Sequence, residues 1–181
     1  MKNLTTNKIN GAAKGKKMRK AFTLIEIVFV AVIIAVLAGM IIPKVLNNAR
    51  TTEYLSVAQE NFKSLKSAIN QMKFDNKKIT SAIRTGDVYD YMPDVYELLT
   101  EQAASGAQLM QDKNNNAFKI AIEGNDDGTA NVAIKLNDYD KVPQGLKNKI
   151  ILKGVKQLHC DKDASIDNAN DKELQLKNCT F

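Results

Sequence analysis

From Phe22 to Ile42 the chain reads FTLIEIVFVAVIIAVLAGMII, twenty-one residues in which only Glu26 is charged. A helix rises about 1.5 Å per residue, so this run spans the roughly 30 Å hydrocarbon core of a bilayer. It is almost uniformly apolar where a surface helix would be striped, which argues against a core helix of a globular domain. A cleaved secretory signal has the same basic-then-apolar order, but its apolar core is shorter and no A-x-A site comes after the run here. The reading is a membrane helix.

The flanks orient it. Residues 1–21 carry seven Lys and Arg and no acid, a local charge of +7, whereas the remaining 160 residues sum to −1. The whole-chain charge of +6 therefore describes the segment before the helix. Cations on one side predict that residues 1–21 stay cytoplasmic and that the rest is exported. Residues 1–17 fit either an extended leader or a start placed too early, since Met18-Arg19-Lys20-Ala21 alone makes an ordinary short leader. Glu26 is the anomaly. A carboxylate in lipid costs about 2.5 kcal/mol or more and marks a functional position. A chain cut before Phe22 would place a new α-amino group about one helical turn away, able to compensate it.

The string Lys20-Ala21-Phe22-Thr23-Leu24-Ile25-Glu26 resembles the type IV prepilin leader motif, shared by type IV pilins and type II secretion pseudopilins. The resemblance implies cleavage between Ala21 and Phe22 by the prepilin peptidase, N-methylation of Phe22, and assembly roles for Thr23 and Glu26. It also implies a helix kink at Pro43. The family's usual residue before the cut is Gly, and here it is the still small Ala21. The function that the resemblance implies is that of a structural subunit of a type IV pilus or type II secretion pseudopilus. It would sit in the bacterial inner membrane as a single pass with a periplasmic head. Its partners would be other pilins or pseudopilins in a helical filament and the inner-membrane assembly platform.

Beyond Pro43 the pattern becomes striped. Leu55, Ala58, Phe62, Leu65, Ile69 and Met72 recur at alternating spacings of three and four, one face of a helix. No Gly or Pro interrupts residues 44–85, which predicts one helix from Phe22 to about Asp75. The expected fold class is α+β: a long N-terminal helix, membrane-spanning in its first half and amphipathic in its second, packed on a small antiparallel sheet. The expected divisions are a leader (1–21), an assembly half (22–42), an amphipathic half (43–76) and an exported head (77–181).

In the head, Asp94–Ala104 reads as a short helix. Ala117–Glu123 and Asn131–Leu136 alternate across Gly124-Asn125-Asp126-Asp127-Gly128, the pattern of a hairpin. Lys149–Leu152 and Glu173–Asn178 are candidate strands. Cys160 and Cys179 stand in an exported body, where a disulfide is the default against two free thiols, and many type IV pilins carry a similar loop. Between them Asp161, Asp163, Ser165 and Asp167 recur at every second position, which resembles the start of a calcium loop. Ile166 and Lys172 occupy positions where an EF-hand needs Gly and Glu, so a solvated acidic loop is the alternative.

Residues 141–160 hold five lysines and no acid. They fit a salt-bridged face, or DNA contacts through Lys147, Lys149, Lys153 and Lys156 in a competence-type minor pilin. No nucleophile–base set, metal cluster or phosphate-binding glycine loop stands out, so an enzyme is not expected, and calcium is the one cofactor in question.

Overall fold

The computed structural model describes residues 23–181, with the side chains of residues 40–49 excepted. The leader, the expected cut between Ala21 and Phe22 and the methylation site Phe22 lie outside the described residues. The chain divides into two compact units, residues 1–44 and 45–181.

In the first unit helix α1 (Leu24–Phe74) begins, and the large side chains from Leu24 to Leu37 are exposed. Among the described residues no helix is long and apolar enough to cross a membrane. Pro43 lies within the bounds of α1, and the kink expected there falls among residues whose side chains are not described.

In the second unit the later part of α1 supplies the core face that its stripe predicts. Ala58, Phe62, Leu65, Ile69 and Met72 are fully buried, and Leu55 packs at the margin. Burying one such side chain contributes about 1.5–3 kcal/mol. The helix stops at Phe74, and Asn76 in the left-handed region (φ 62°) turns the chain away. A short helix α2 (Thr85–Tyr89) comes next.

Six strands then form one antiparallel sheet: β1 (Tyr96–Gln102), β2 (Gln108–Asp112), β3 (Asn115–Gly124), β4 (Ala130–Leu136), β5 (Asp161–Asn168) and β6 (Glu173–Cys179). Their order is β1-β2-β3-β4-β6-β5. The hairpin read from alternation is β3–β4, with Ile120 opposite Ile134 and Ile122 opposite Val132 facing the core. The architecture is α+β, as the sequence implies.

Three local expectations are corrected. Asp94–Ala104 is not helical but holds strand β1. Its Leu98-Leu99 pair resembles a helix stripe because both faces of this strand are covered: Leu98 packs on the main core and Leu99 on a smaller cluster behind the sheet. Lys149–Leu152 is not a strand but the middle of helix α3 (Gln144–Leu158). The four-residue window reads as β, whereas the longer register of Leu146, Ile150, Gly154 and Leu158, four apart and all buried, is helical. The acidic run at 161–168 is not a loop but β5, whose pairing with β6 shifts register between Asp161 and Ile166.

Helix α3 fits because Gly154 has no side chain. A Cβ there would lie 2.5 Å from Leu176 Cδ1 and 3.1 Å from Phe62 Cζ, so α1, α3 and β6 meet at this point.

Candidate functional site

Two places gather the residues singled out by sequence. The first is the start of α1. The Thr23 backbone N–H and its Oγ1 both donate to Glu26 Oε2 at 2.8 Å, and Glu26 N–H reaches Thr23 Oγ1 at 3.4 Å. This is a capping box, in which a carboxylate at the third position satisfies an otherwise orphaned donor at the helix start. The charge that sequence reasoning left in need of a cation is thus engaged by hydrogen bonds in the described chain. Thr23-x-x-Glu26 is itself a readable capping signal. The large side chains beyond it, from Leu24 to Leu37, are apolar and exposed. Glu26 is therefore the only ionisable group among the described residues of this apolar run.

The second place is α3 and its neighbours. The structure separates the four candidate lysines. Lys149 and Lys156 are exposed and Lys153 is half-buried, three positions on one helical face around the exposed Leu152. Lys147 is buried. Its Nζ lies 3.3 Å from the centroid of the Tyr139 ring and 3.9 Å from Asp167 Oδ2. The Tyr139 hydroxyl donates to Asp167 Oδ1, and Gln144 Nε2 donates to Oδ2 at 2.8 Å. Burial, reinforced by the Asp167 contact, holds the Tyr139 phenol above its ordinary pKa. Lys147 and Asp167 therefore bind the start of α3 to β5.

The suspected calcium ligands are not brought together. Asp167 faces Tyr139, Gln144 and Lys147. Asp161 Oδ1 accepts from the backbone of Asp163 at 3.0 Å and of Ala164 at 3.4 Å, inside a register shift of β5 against β6. Ser165 Oγ completes that shift, donating to Asp161 O and accepting from Lys177 N–H. Among the described residues no group of three or more His, Cys, Asp or Glu side chains could hold a metal ion. Cys160 and Cys179 are disulfide-bonded. The bond joins the end of α3 to the end of β6, where Phe181 N–H also donates to Leu158 O at 3.0 Å.

Sequence reasoning missed one further group. Glu173 is buried on β6, its Oε2 without a hydrogen-bond partner among the described residues, and the Glu at the head of an otherwise amphipathic strand gives no signal of that burial.

No curated protein and no solved structure matches this chain. Residues 16–42 match the family model described as the prokaryotic N-terminal methylation motif. That match covers the end of the basic segment, the Ala21–Phe22 junction, Thr23 and Glu26, and the apolar run. The chain thus carries the motif that is the hallmark of type IV pilins and pseudopilins.

Proposed function

We propose that the chain is a type IV pilin-like structural subunit that polymerises through its N-terminal helix. The methylation-motif match over residues 16–42 carries this reading. In it, residues 22–42 span the inner membrane with residues 1–21 cytoplasmic and the second unit periplasmic. The prepilin peptidase cuts after Ala21 and methylates Phe22. The assembly platform then moves the subunit into a filament of like subunits. Glu26, lacking a cation on its own apolar run, takes the new amine at Phe22 of its own chain or of a neighbour. The intact mass of membrane-extracted protein tests processing: a mature form retaining residues 1–21 overturns the proposal. Exchange of Glu26 for Ala should leave insertion intact and block entry into the filament. A long surface pilus, favoured by the C-terminal disulfide, is distinguished from a short periplasmic pseudopilus by electron microscopy of sheared surface fractions.

A second reading, DNA capture, is supported by the grouping of Lys149, Lys153 and Lys156 on one face of α3. Salt-sensitive DNA binding by the full chain in detergent, lost when these three are neutralised together, would favour it. Lys147 is too enclosed to take part. Calcium binding is testable with chelator. With Asp167 engaged elsewhere, our reading is that the unfolding temperature does not change.

A further inference from the structure

The tip of the β1–β2 hairpin, Ala103–Ala107, closes on itself through Ala103 N–H to Ala107 O at 2.8 Å and Gly106 N–H to Ala103 O at 2.9 Å. Gly106 sits at φ +83°, the left-handed region open to glycine. The tip does not stay at its own edge of the sheet. Ala104 N–H donates to Glu173 Oε1 at 3.0 Å, and Glu173 lies on β6, with β3 and β4 in between. Under the tip those two strands present Ala121 and Ala133, register partners whose methyl groups leave room for a chain to cross. Ala103, Ala107, Leu109 and Ala121 form a small apolar cluster separate from the main core.

Within the tip itself one hydrogen bond reaches β6, beside the Ala103, Ala107 and Leu109 contacts, while Glu101 just before it is held by Lys119 and Lys135, and the acceptor of that one bond is unusual. Glu173 is 1% exposed, and its Oε2 has no hydrogen-bond partner among the described residues. Beside it, between Ser105 of the tip and Asn131 and Gln175 of the sheet, lies a cavity of about 30 Å³, room for a single water. The charged groups around Glu173 do not pair with it. Lys135 on β4 holds Glu101 of β1 at 2.7 Å, and Glu123 on β3 faces Arg84 at 3.7 Å. Lys177 lines the cavity, and Asp171 precedes β6.

We propose that the Ala103–Ala107 tip is a proton-dependent strap, closed over the outer face of the sheet while Glu173 is neutral and released when Glu173 ionises. A neutral carboxyl keeps Oε1 as acceptor for Ala104 and offers an Oε2 proton to the cavity. An ionised one leaves a buried charge with a single donor, a state relieved by letting water in. Lifting the tip uncovers Leu109, Ala121 and Ala133.

Burial is the largest influence on Glu173 and raises its pKa. The Ala104 N–H and Lys135 oppose that shift, and Asp171 and Glu101 add to it. Closure is therefore complete below the carboxylate's ordinary value and is lost as pH rises through the raised one. Between the two values the closing constant falls by up to about tenfold per pH unit.

Amide hydrogen exchange of the full chain in detergent, corrected for the intrinsic pH dependence, tests this. Protection of residues 104–107 should fall by up to about tenfold per pH unit across that window, while Ile120 and Ile134 stay protected. Glu173→Gln should remove the slope. A flat wild-type profile, or an unchanged slope in Glu173→Gln, overturns the proposal. If that variant loses protection at Ile134 and is therefore unfolded, the carboxyl ¹³C shift of wild-type Glu173 decides. Titration at the pH of tip release supports the strap, and titration elsewhere sinks it.

Discussion

Single side chains in this molecule matter most where space or solvation is exhausted. Gly124, at the end of β3, donates its N–H to Ile83 O at 3.0 Å and lies so close to the preceding loop that a Cβ would fall 2.0 Å from Thr80 O. Backbone cannot swing aside as a side chain can. Gly124→Ala should therefore destabilise the second unit by about 1–3 kcal/mol or more, visible as a lower urea midpoint. An unchanged midpoint would mean that the loop relaxes freely. The lysines of α3 offer a contrast within one helix. Lys147→Met removes the charge from the Tyr139 ring and from the neighbourhood of Asp167, at a cost of about 1–2 kcal/mol. Lys149→Met, on the exposed face, should stay within about 0.5 kcal/mol. Equal effects in thermal melts would contradict the difference in burial. These distinctions were not legible in sequence, because Lys147 and Lys149 stand two apart in the same basic run. Only the helical turn puts one inward and the other outward.

Among elements, long periodic ones could be read and short ones could not. The α1 stripe and the β3–β4 hairpin each repeat over enough residues for period 3.6 and period 2 to separate. Strand β1 and helix α3 were misread from windows too short or too evenly covered to show their period. Likewise, alternating acids on β5 carry the same spacing as metal ligands, and only the partner strand distinguishes the two. The motif at the start of α1 was legible because it is written in contiguous residues, whereas Glu173 and Asp167 acquire their settings from strands and helices distant in sequence.

The outer face of the sheet makes its own prediction. Glu101 of β1 is held by Lys119 of β3 at 2.5 Å and Lys135 of β4 at 2.7 Å, and these hydrogen bonds, Lys119 first, lower its pKa. A lowered carboxylate contributes stability above its unfolded value, about 4.3, that is lost as pH falls through the lowered one. Acid unfolding of Glu101→Gln should accordingly be shallower on that limb than the parent's. Identical acid limbs would show the trio to be too solvated to matter.

At the scale of the whole second unit, the disulfide joins Cys160 and Cys179 across a sequence separation of 19. Loop-closure entropy gives it about 3 kcal/mol. Reduction should lower the melting temperature without dissolving the sheet, since Leu174 and Leu176 of β6 remain packed in the core. Complete unfolding on reduction at room temperature would show the remaining stability to be smaller than that contribution.

The position of β6 has a consequence for the order of events in synthesis. It comes after the other five strands of the sheet, yet it lies inside that sheet, with β4 on one side and β5 on the other. A chain that emerges from its N-terminus first can form α1 and the β1–β4 meander early, but β4 keeps an open hydrogen-bonding edge and β5 has no neighbour until residues 173–179 arrive. The bond between Cys160 and Cys179 must wait for the same moment. Until then the exposed edge is free to pair with another nascent copy. The nascent chain is therefore most exposed to wrong pairing just before β6 emerges.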